Sequence, residues 1–404
     1  MKSIAFSASL NAAAAAAGVL GTTLIVWHFG LAIFGVYTVA LAKVAIILLG
    51  TELLPSSYIQ FRLQDDPAFA DAAPTFYLIF AAISVAIGAA AIELGAIAGS
   101  SWFILPYLFF ATLQRGFDSQ ILARGAVSLS VSVPLISNSV RAALLAILIL
   151  FPILSVPDAL WGSLFAGLVM GQCAMLLQRP EIGRALLAGR PVASLRYLLS
   201  LRREYAGYYV NSVLKRAKDT LFPLFCDAAL PSKAELGRIL VFTRASDAVA
   251  GQIRVLELFL IHRETRAELA ATRRRILIGS AMLGHVGVVV LASFLLWKHG
   301  LTGSSILYAA VMGLFMYPYV YELAKRSDAY ASLQPGKVTF SLIAFIVTLG
   351  GLLTAAWMLH IFVPLVLIGS IVLAQAVSAF VYLARDPRAS TRLRPASPEG
   401  LFDE

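Results

Sequence analysis

The segment FYLIFAAISVAIGAAAIELGAIA (76–98) carries a single charge, Glu93, and runs like it recur from end to end. LNAAAAAAGVLGTTLIVWHFG (10–30) and VTFSLIAFIVTLGGLLTAAWML (338–359) are two more. Roughly 20 residues at 1.5 Å each cross about 30 Å of hydrocarbon. Lipid offers no water to a bare backbone, so each N–H and C=O must be bonded inside the segment. Uninterrupted apolar runs of this length do so as helices. The expected fold is therefore an all-α polytopic membrane protein. Of the 404 residues 59% are hydrophobic and only 13% charged, against about a quarter charged in ordinary soluble domains.

Twelve spans are expected, near 8–28, 31–51, 76–98, 101–122, 133–155, 158–178, 205–227, 236–260, 275–297, 303–323, 338–359 and 361–384. The seventh and eighth are the least apolar. Basic residues test the count. With the N-terminus inside, the inside segments hold about 22 of the 32 Lys and Arg, and the outside loops hold only Lys233 and Lys298. That asymmetry is the positive-inside rule, with both termini cytoplasmic. It places most of the net charge of +10 without any nucleic acid. The start MKSIAF runs on into apolar sequence and reads as a retained first span rather than a cleaved leader.

The basic loop RPEIGRALLAGRPVASLRYLLSLRRE (179–204) separates six spans from six. It reads either as an amphipathic helix on the inner leaflet or as a plain cytoplasmic connector. In the first case Leu195, Leu198, Leu199 and Leu201 lie on one side and Arg196, Arg202 and Arg203 on the other. The halves echo each other. FGVYTVALAKV (34–44) and LGRILVFTRAS (236–246) each follow an outside turn, with Gly35 and Gly237 half a chain apart. RGFDSQILARGAV (115–127) parallels RSDAYASLQPGKV (326–338). A duplicated six-helix unit follows, a common transporter construction. The expected organisation is an N-terminal lobe (1–178), a basic linker (179–204), a C-terminal lobe (205–385) and a cytoplasmic tail (386–404), with a cavity between the lobes.

The cations Lys43, Arg141, Lys215, Arg216, Lys218, Arg238, Arg244 and Arg254 fall within the spans. With them are the acids Glu93, Asp219, Asp247 and Glu257. A charge at the bilayer centre costs roughly 3 kcal/mol, so such groups face a cavity, pair, or snorkel to the interface. Arg238, Arg254, Glu93 and Glu257 lie near helix ends and snorkel. Lys43 lies roughly 18 Å deep, Lys215 and Arg216 roughly 15 Å, Arg141 and Arg244 roughly 12 Å. Asp219 stands at i+4 from Lys215 and i+3 from Arg216, and Asp247 at i+3 from Arg244. Lys43, Arg141, one of Lys215 and Arg216, and Lys218 keep no evident acid. Either these cations line a wet cavity or they join structural networks with further acids.

An excess of cations in a cavity suits an anionic cargo, because Lys and Arg attract phosphate and Arg clamps it through two hydrogen bonds. Tyr205, Tyr208, Tyr209 and Asn211 are placed either to meet a sugar or, for the tyrosines, to form an interfacial belt. Ser137, Asn138, Ser139 and Gln375 suit helix–helix hydrogen bonds. GLVMG (167–171) is a small-residue packing signal, and a buried His285 suits packing. Cys173 and Cys226 give neither a disulfide framework nor metal spacing. No GxxxxGK[ST], HExxH or GxSxG occurs. No enzyme activity, metal or cofactor is expected.

Twelve spans in two halves, an outside turn followed by FGVY, and the NS…KR..D segment from Asn211 to Asp219 resemble bacterial flippases for lipid-linked oligosaccharides. These belong to the superfamily that also holds multidrug and toxin extruders. The resemblance covers about residues 8–385, and Gly35 and Tyr37 match its turn and helix start. In the second half Gly237 is followed by Arg238 and Ile239, without the aromatic residue. The resemblance implies turnover of an undecaprenyl-pyrophosphate-linked sugar chain across the inner membrane for surface polysaccharide synthesis, by alternating access through a cationic cavity. Arg216, Lys215, Arg141, Lys43, Arg244 and Lys218 would then meet the headgroup, while Asp219 and Asp247 hold the cations or couple an ion. Membrane lipids, a polysaccharide polymerase and glycosyltransferases would be partners. An ion-coupled drug or metabolite extruder is the alternative. A membrane transferase or polymerase would need a larger outside loop.

Overall fold

The computed structural model describes residues 2–51, 67–97, 101–123, 127–188, 191–253, 269–331 and 335–384. Arg254, Glu257 and the tail from residue 385 lie outside the described residues. Among the described residues the regular elements are all helical.

The first half contains α1 (Lys2–Leu24), α2 (Leu31–Thr51), α3 (Pro67–Glu93), α4 (Ile104–Ala123), α5 (Val127–Leu150) and α6 (Val156–Gln178). Two short helices follow, α7 (Pro180–Ala188) and α8 (Pro191–Ser200). The second half contains α9 (Arg202–Ala229), α10 (Lys233–Ile253), α11 (Leu269–Leu296), α12 (Gly303–Gly313), α13 (Met316–Ala331), α14 (Pro335–Met358) and α15 (Pro364–Ala384). Nine stretches of the described residues are long and apolar enough to span a membrane. The remaining long helices, α4, α9 and α10, fall short and carry Arg115 and Asp118, the 215–219 charges, and Arg244 with Asp247.

The expected tenth span proves to be two helices. Pro318 has no N–H for the Leu314 carbonyl, and its ring crowds that carbonyl. The α-helical ladder stops at Gly313, passes through tight bonds from Leu314 N to Val311 O and from Phe315 N to Met312 O, and resumes at Met316. The break lies beside His285, which packs against Gly313 and edge-on to Tyr317. The histidine packs there as expected, but its Nδ1 is buried without a hydrogen-bond partner.

Both halves pack alike. In the first, α1 lies on α5, α5 on α6, α3 on α4 and α4 on α6; in the second, α9 lies on α14, α14 on α15, α11 on α12, and α12 and α13 on α15. The two lobes meet chiefly where α2 packs along α9 and α10. Gly35 and Gly237, the paired glycines of the sequence echo, face each other there. A Cβ on Gly35 would stand 2.9 Å from the Gly237 nitrogen and the Lys233 carbonyl oxygen, and one on Gly237 would overlap the Leu31 carbonyl. Only hydrogen fits at either position, so the backbones of α2 and α10 touch.

A second inter-lobe tie lies at the same end. The last turn of α1 widens into a π-turn, Ile25–Phe29. Helix ends leave carbonyls without partners. Lys298 donates to the Trp27 carbonyl at 2.7 Å, the His299 ring lies 2.7 Å from the Val26 carbonyl, and the Trp27 indole N–H donates to the Leu295 carbonyl at 3.0 Å. Gly30 and Gly300 turn the chain beside these contacts at φ 87° and 85°, a region that only glycine enters freely. These bonds tie the two lobes together at the end that the basic residues assign to the outside.

Candidate functional site

Below these ties lies a cavity of about 380 Å³. Its first-lobe wall is the α2 stripe Thr38, Leu41, Ala42 and Ala45, spaced so that all four share one helix face. The remaining wall is second-lobe: α9 and α10, with Met312, Phe315 and Tyr319 from the broken tenth span and Phe345 from α14. The cavity is therefore set in the second lobe and closed by one helix of the first, rather than shared evenly.

Helix α9 supplies Lys215, Arg216, Lys218 and Asp219. Their spacing brings all four onto one side of the helix, so apolar residues at either end can stay in lipid. Pro223, also in the wall, lacks the N–H that would bond the Asp219 carbonyl. Helix α10 adds Arg244 and Asp247, whose side chains are 38% and 69% exposed and 4.0 Å apart. This is the expected i, i+3 pair, open to solvent along the cavity wall. Four of the six expected cations, together with both expected acids, thus meet at one site.

The other two lie elsewhere. Lys43 stands one helical position off the α2 stripe and donates to the Ala96 carbonyl at 2.9 Å. Its expected place in the cavity is corrected: the ammonium closes off a loop carbonyl within the first lobe. Arg141, on α5, donates to the Tyr37 hydroxyl at 3.1 Å and lies 5.9 Å from that ring centre. Its Nε is buried without a hydrogen-bond partner. Arg141 thus reaches the lobe boundary only through Tyr37 of α2, the first-lobe helix that packs on α9 and α10. Tyr107 and Tyr37 both pack on the buried Trp161.

Lys218 has the acid that the sequence did not reveal. Its ammonium is 3.6 Å from Glu322 Oε2, and the two side chains are 14% and 3% exposed. It also donates to Gln375 Oε1 at 2.7 Å and sits 4.3 Å from the Phe345 ring centre. The Gln375 amide and, at 3.1 Å, the Ser378 hydroxyl donate to the same carboxylate. The expectation that Lys218 lacks an acid is corrected. Glu322 was missed because it fell on the last turn of a span read as ending at 323, whereas α13 runs on to Ala331. The helical phase of Gln375 and Ser378, one turn apart toward α13, was the available signal.

The remaining polar residues join helices. Asn138 donates to the Ala14 carbonyl at 2.9 Å, and Asn211 accepts from Thr339 at 2.7 Å. Gly167 and Gly171 of GLVMG pack against Ser137. The side chains of Tyr205 and Tyr208 lie outside the described residues. A second cavity of about 280 Å³ lies between α1, α10 and α11, and shares Arg244 and Asp247 with the first.

No protein-family model matches this chain, and no curated protein matches it in sequence. Solved structures do match in shape. The lipid II flippase MurJ in its inward closed conformation superposes with a TM-score of 0.67 at 11% identity, covering 94% of this chain and 87% of that one. A multidrug resistance MATE transporter in its outward-facing conformation gives 0.59 at 13%, covering 95% and 97%. The Vibrio cholerae MATE transporter VcmN in its bent form gives 0.57 at 12%, with the same coverage. The fold is that of these transporters. Their likeness extends over both lobes.

Proposed function

We propose that the protein is a flippase that carries an undecaprenyl-pyrophosphate-linked oligosaccharide across the bacterial inner membrane, for surface polysaccharide synthesis. One observation carries the reading: Lys215, Arg216 and Arg244 line a single cavity at the lobe boundary. Burying several like charges at a membrane's midplane is costly unless water or an anion solvates them. A pyrophosphate headgroup does so, and Arg supplies a paired donor geometry that matches it.

In this reading the cavity takes the headgroup while the lipid chain stays in the bilayer. Arg216, Lys215 and Arg244 contact the phosphates, and Arg141 joins from the first lobe once the lobes tilt. Asp219 and Asp247 keep the cations oriented. The contacts at Gly35 and Gly237, and at Lys298 and His299, open when the site turns outward. Two rigid lobes rocking about a fixed site is the usual form of alternating access. Glycosyltransferases that build the lipid-linked sugar, and a polymerase that consumes it, are the proposed partners.

The test is export of surface polysaccharide in cells carrying Arg216→Ala or Arg141→Ala, with protein levels checked by blotting. Loss of a charge-assisted contact of roughly 1.5–3 kcal/mol should reduce transport about tenfold or more. Normal export by both variants at normal levels removes the assignment of these arginines.

A second reading, an ion-coupled extruder of drugs or metabolites, is favoured by a different observation. Asp219 and Asp247 are themselves exposed on the cavity wall, where they would meet a cationic compound. Reconstituted protein distinguishes the two. Efflux of a cationic dye that Asp247→Asn abolishes and Arg216→Ala spares selects the extruder; turnover of a fluorescent polyprenyl-pyrophosphate sugar with the opposite sensitivities selects the flippase.

A further inference from the structure

Helix α8 carries apolar residues on two opposite sides. One side is covered by protein: Ser194 is buried, Tyr197 packs into the cluster around Phe69 and Phe76 of α3, and Leu201 just beyond the helix is buried in the same cluster. The other side bears Val192, Leu195 and Leu199, at 74%, 42% and 54% exposed. These three follow an i, i+3, i+7 spacing and form one stripe. Leu201 therefore belongs to the protein-covered side, not to the exposed leucine face expected from the sequence. A helix that is apolar on both sides is normally buried on both. Among the described residues nothing covers the Val192 stripe.

The charges around the stripe say what does. Arg196 follows Val192 by four residues and precedes Leu199 by three, so it borders the stripe directly. Arg202 begins α9, and Arg184 lies on α7; all three are exposed. Arginines that flank an apolar stripe hold their heads at the phosphate level while their stems lie along acyl chains. Leu177, at the end of the preceding membrane span α6, is itself 84% exposed.

We infer that α8 rests in the inner leaflet through Val192, Leu195 and Leu199, and that Arg184, Arg196 and Arg202 select anionic phospholipid there. Because α8 packs on the N-terminal part of α3, the leaflet holds the linker between the lobes against the first lobe. The linker is then a lipid-anchored strap. This inference stands apart from the cavity and holds for any cargo.

The test uses the full chain with Cys173→Ser and Cys226→Ala and a single Leu195→Cys, labelled with an environment-sensitive fluorophore and reconstituted into vesicles. Val192→Cys serves as a second site in case one label perturbs the helix. Lipids brominated in the acyl chain should quench the fluorophore, and aqueous iodide should not. In vesicles with equal fractions of phosphatidylglycerol and phosphatidylcholine, brominating the anionic lipid should quench about twofold more than brominating the neutral one, since each arginine near the surface favours anionic lipid. That excess should vanish in Arg196→Gln with Arg202→Gln. Quenching by iodide and not by bromolipid at both sites overturns the leaflet placement. Equal quenching by the two brominated lipids overturns the anionic selection.

Discussion

Gly237→Ala should destabilise the protein by about 3 kcal/mol, the upper end of ordinary overpacking costs. The added methyl overlaps the Leu31 carbonyl. It meets backbone rather than the far end of a flexible side chain, so relief requires α2 and α10 to separate along their contact. Gly35→Ala meets the Gly237 nitrogen at 2.9 Å and should cost less. Gly21→Ala is the control. It lies in helix α1 with nothing within 4 Å of its Cβ, and should be neutral or slightly stabilising because alanine is the better helix former. Thermal unfolding of the three variants in one detergent gives the comparison. If Gly237→Ala melts with the wild type, the backbones of α2 and α10 are not in contact. Under the alternating-access proposal the same variant should also leave the outer end open, read as faster labelling of introduced outward-end cysteines by a membrane-impermeant thiol reagent.

Glu322→Ala is expected to cost more, roughly 3–5 kcal/mol, the usual penalty for removing one partner of a buried ion pair. The Lys218 ammonium would stay in the second lobe without its carboxylate, and Gln375 and Ser378 would lose a shared acceptor. Lys218→Met should also destabilise, because Glu322 at 3% exposure would lose its cation. The double variant Lys218→Met with Glu322→Gln removes both charges while keeping similar volume, and should recover much of the loss. Thermal melts of the wild type, Lys218→Met, Glu322→Gln and the double form a cycle whose coupling energy isolates the pair. Additive losses would mean that Lys218 and Glu322 do not support each other. The surface pair Lys233–Asp227, at 2.8 Å but 47% and 26% exposed, should contribute under 1 kcal/mol by contrast.

Which residues share a site was only partly legible. The α9 charges lie within five residues of one another, and local helical geometry alone brings Lys215, Arg216, Lys218 and Asp219 to one side. Arg244 with Asp247 is legible in the same way. Lys43 misled because depth was measured along its helix and not around it. It sits at the depth of the cavity but points toward Ala96. Depth alone singles out Arg141, but its Tyr37 contact joins α5 to α2 across 104 positions, and no local pattern marks such a pairing. Glu322 lay within the last turn of the tenth span, and only the packing of α13 against α15 sets it beside Gln375 and Lys218.

By itself the sequence determined that the chain is a bundle of membrane helices in two similar halves. Lipid forces every apolar run of this length to satisfy its backbone internally, and the basic residues accumulate on one side. It also determined that the seventh and eighth spans hold unusual charge. Only the tertiary structure decided the rest: that Gly35 meets its own counterpart Gly237, that the cavity belongs mostly to the second lobe, and that Lys218 is bound to Glu322 while Arg216 and Arg244 face open space. Those outcomes depend on which face each helix turns toward its neighbours. Rotation about a helix axis is set by packing between distant segments, and in a nearly uniform apolar sequence the hydrophobic pattern leaves it undetermined.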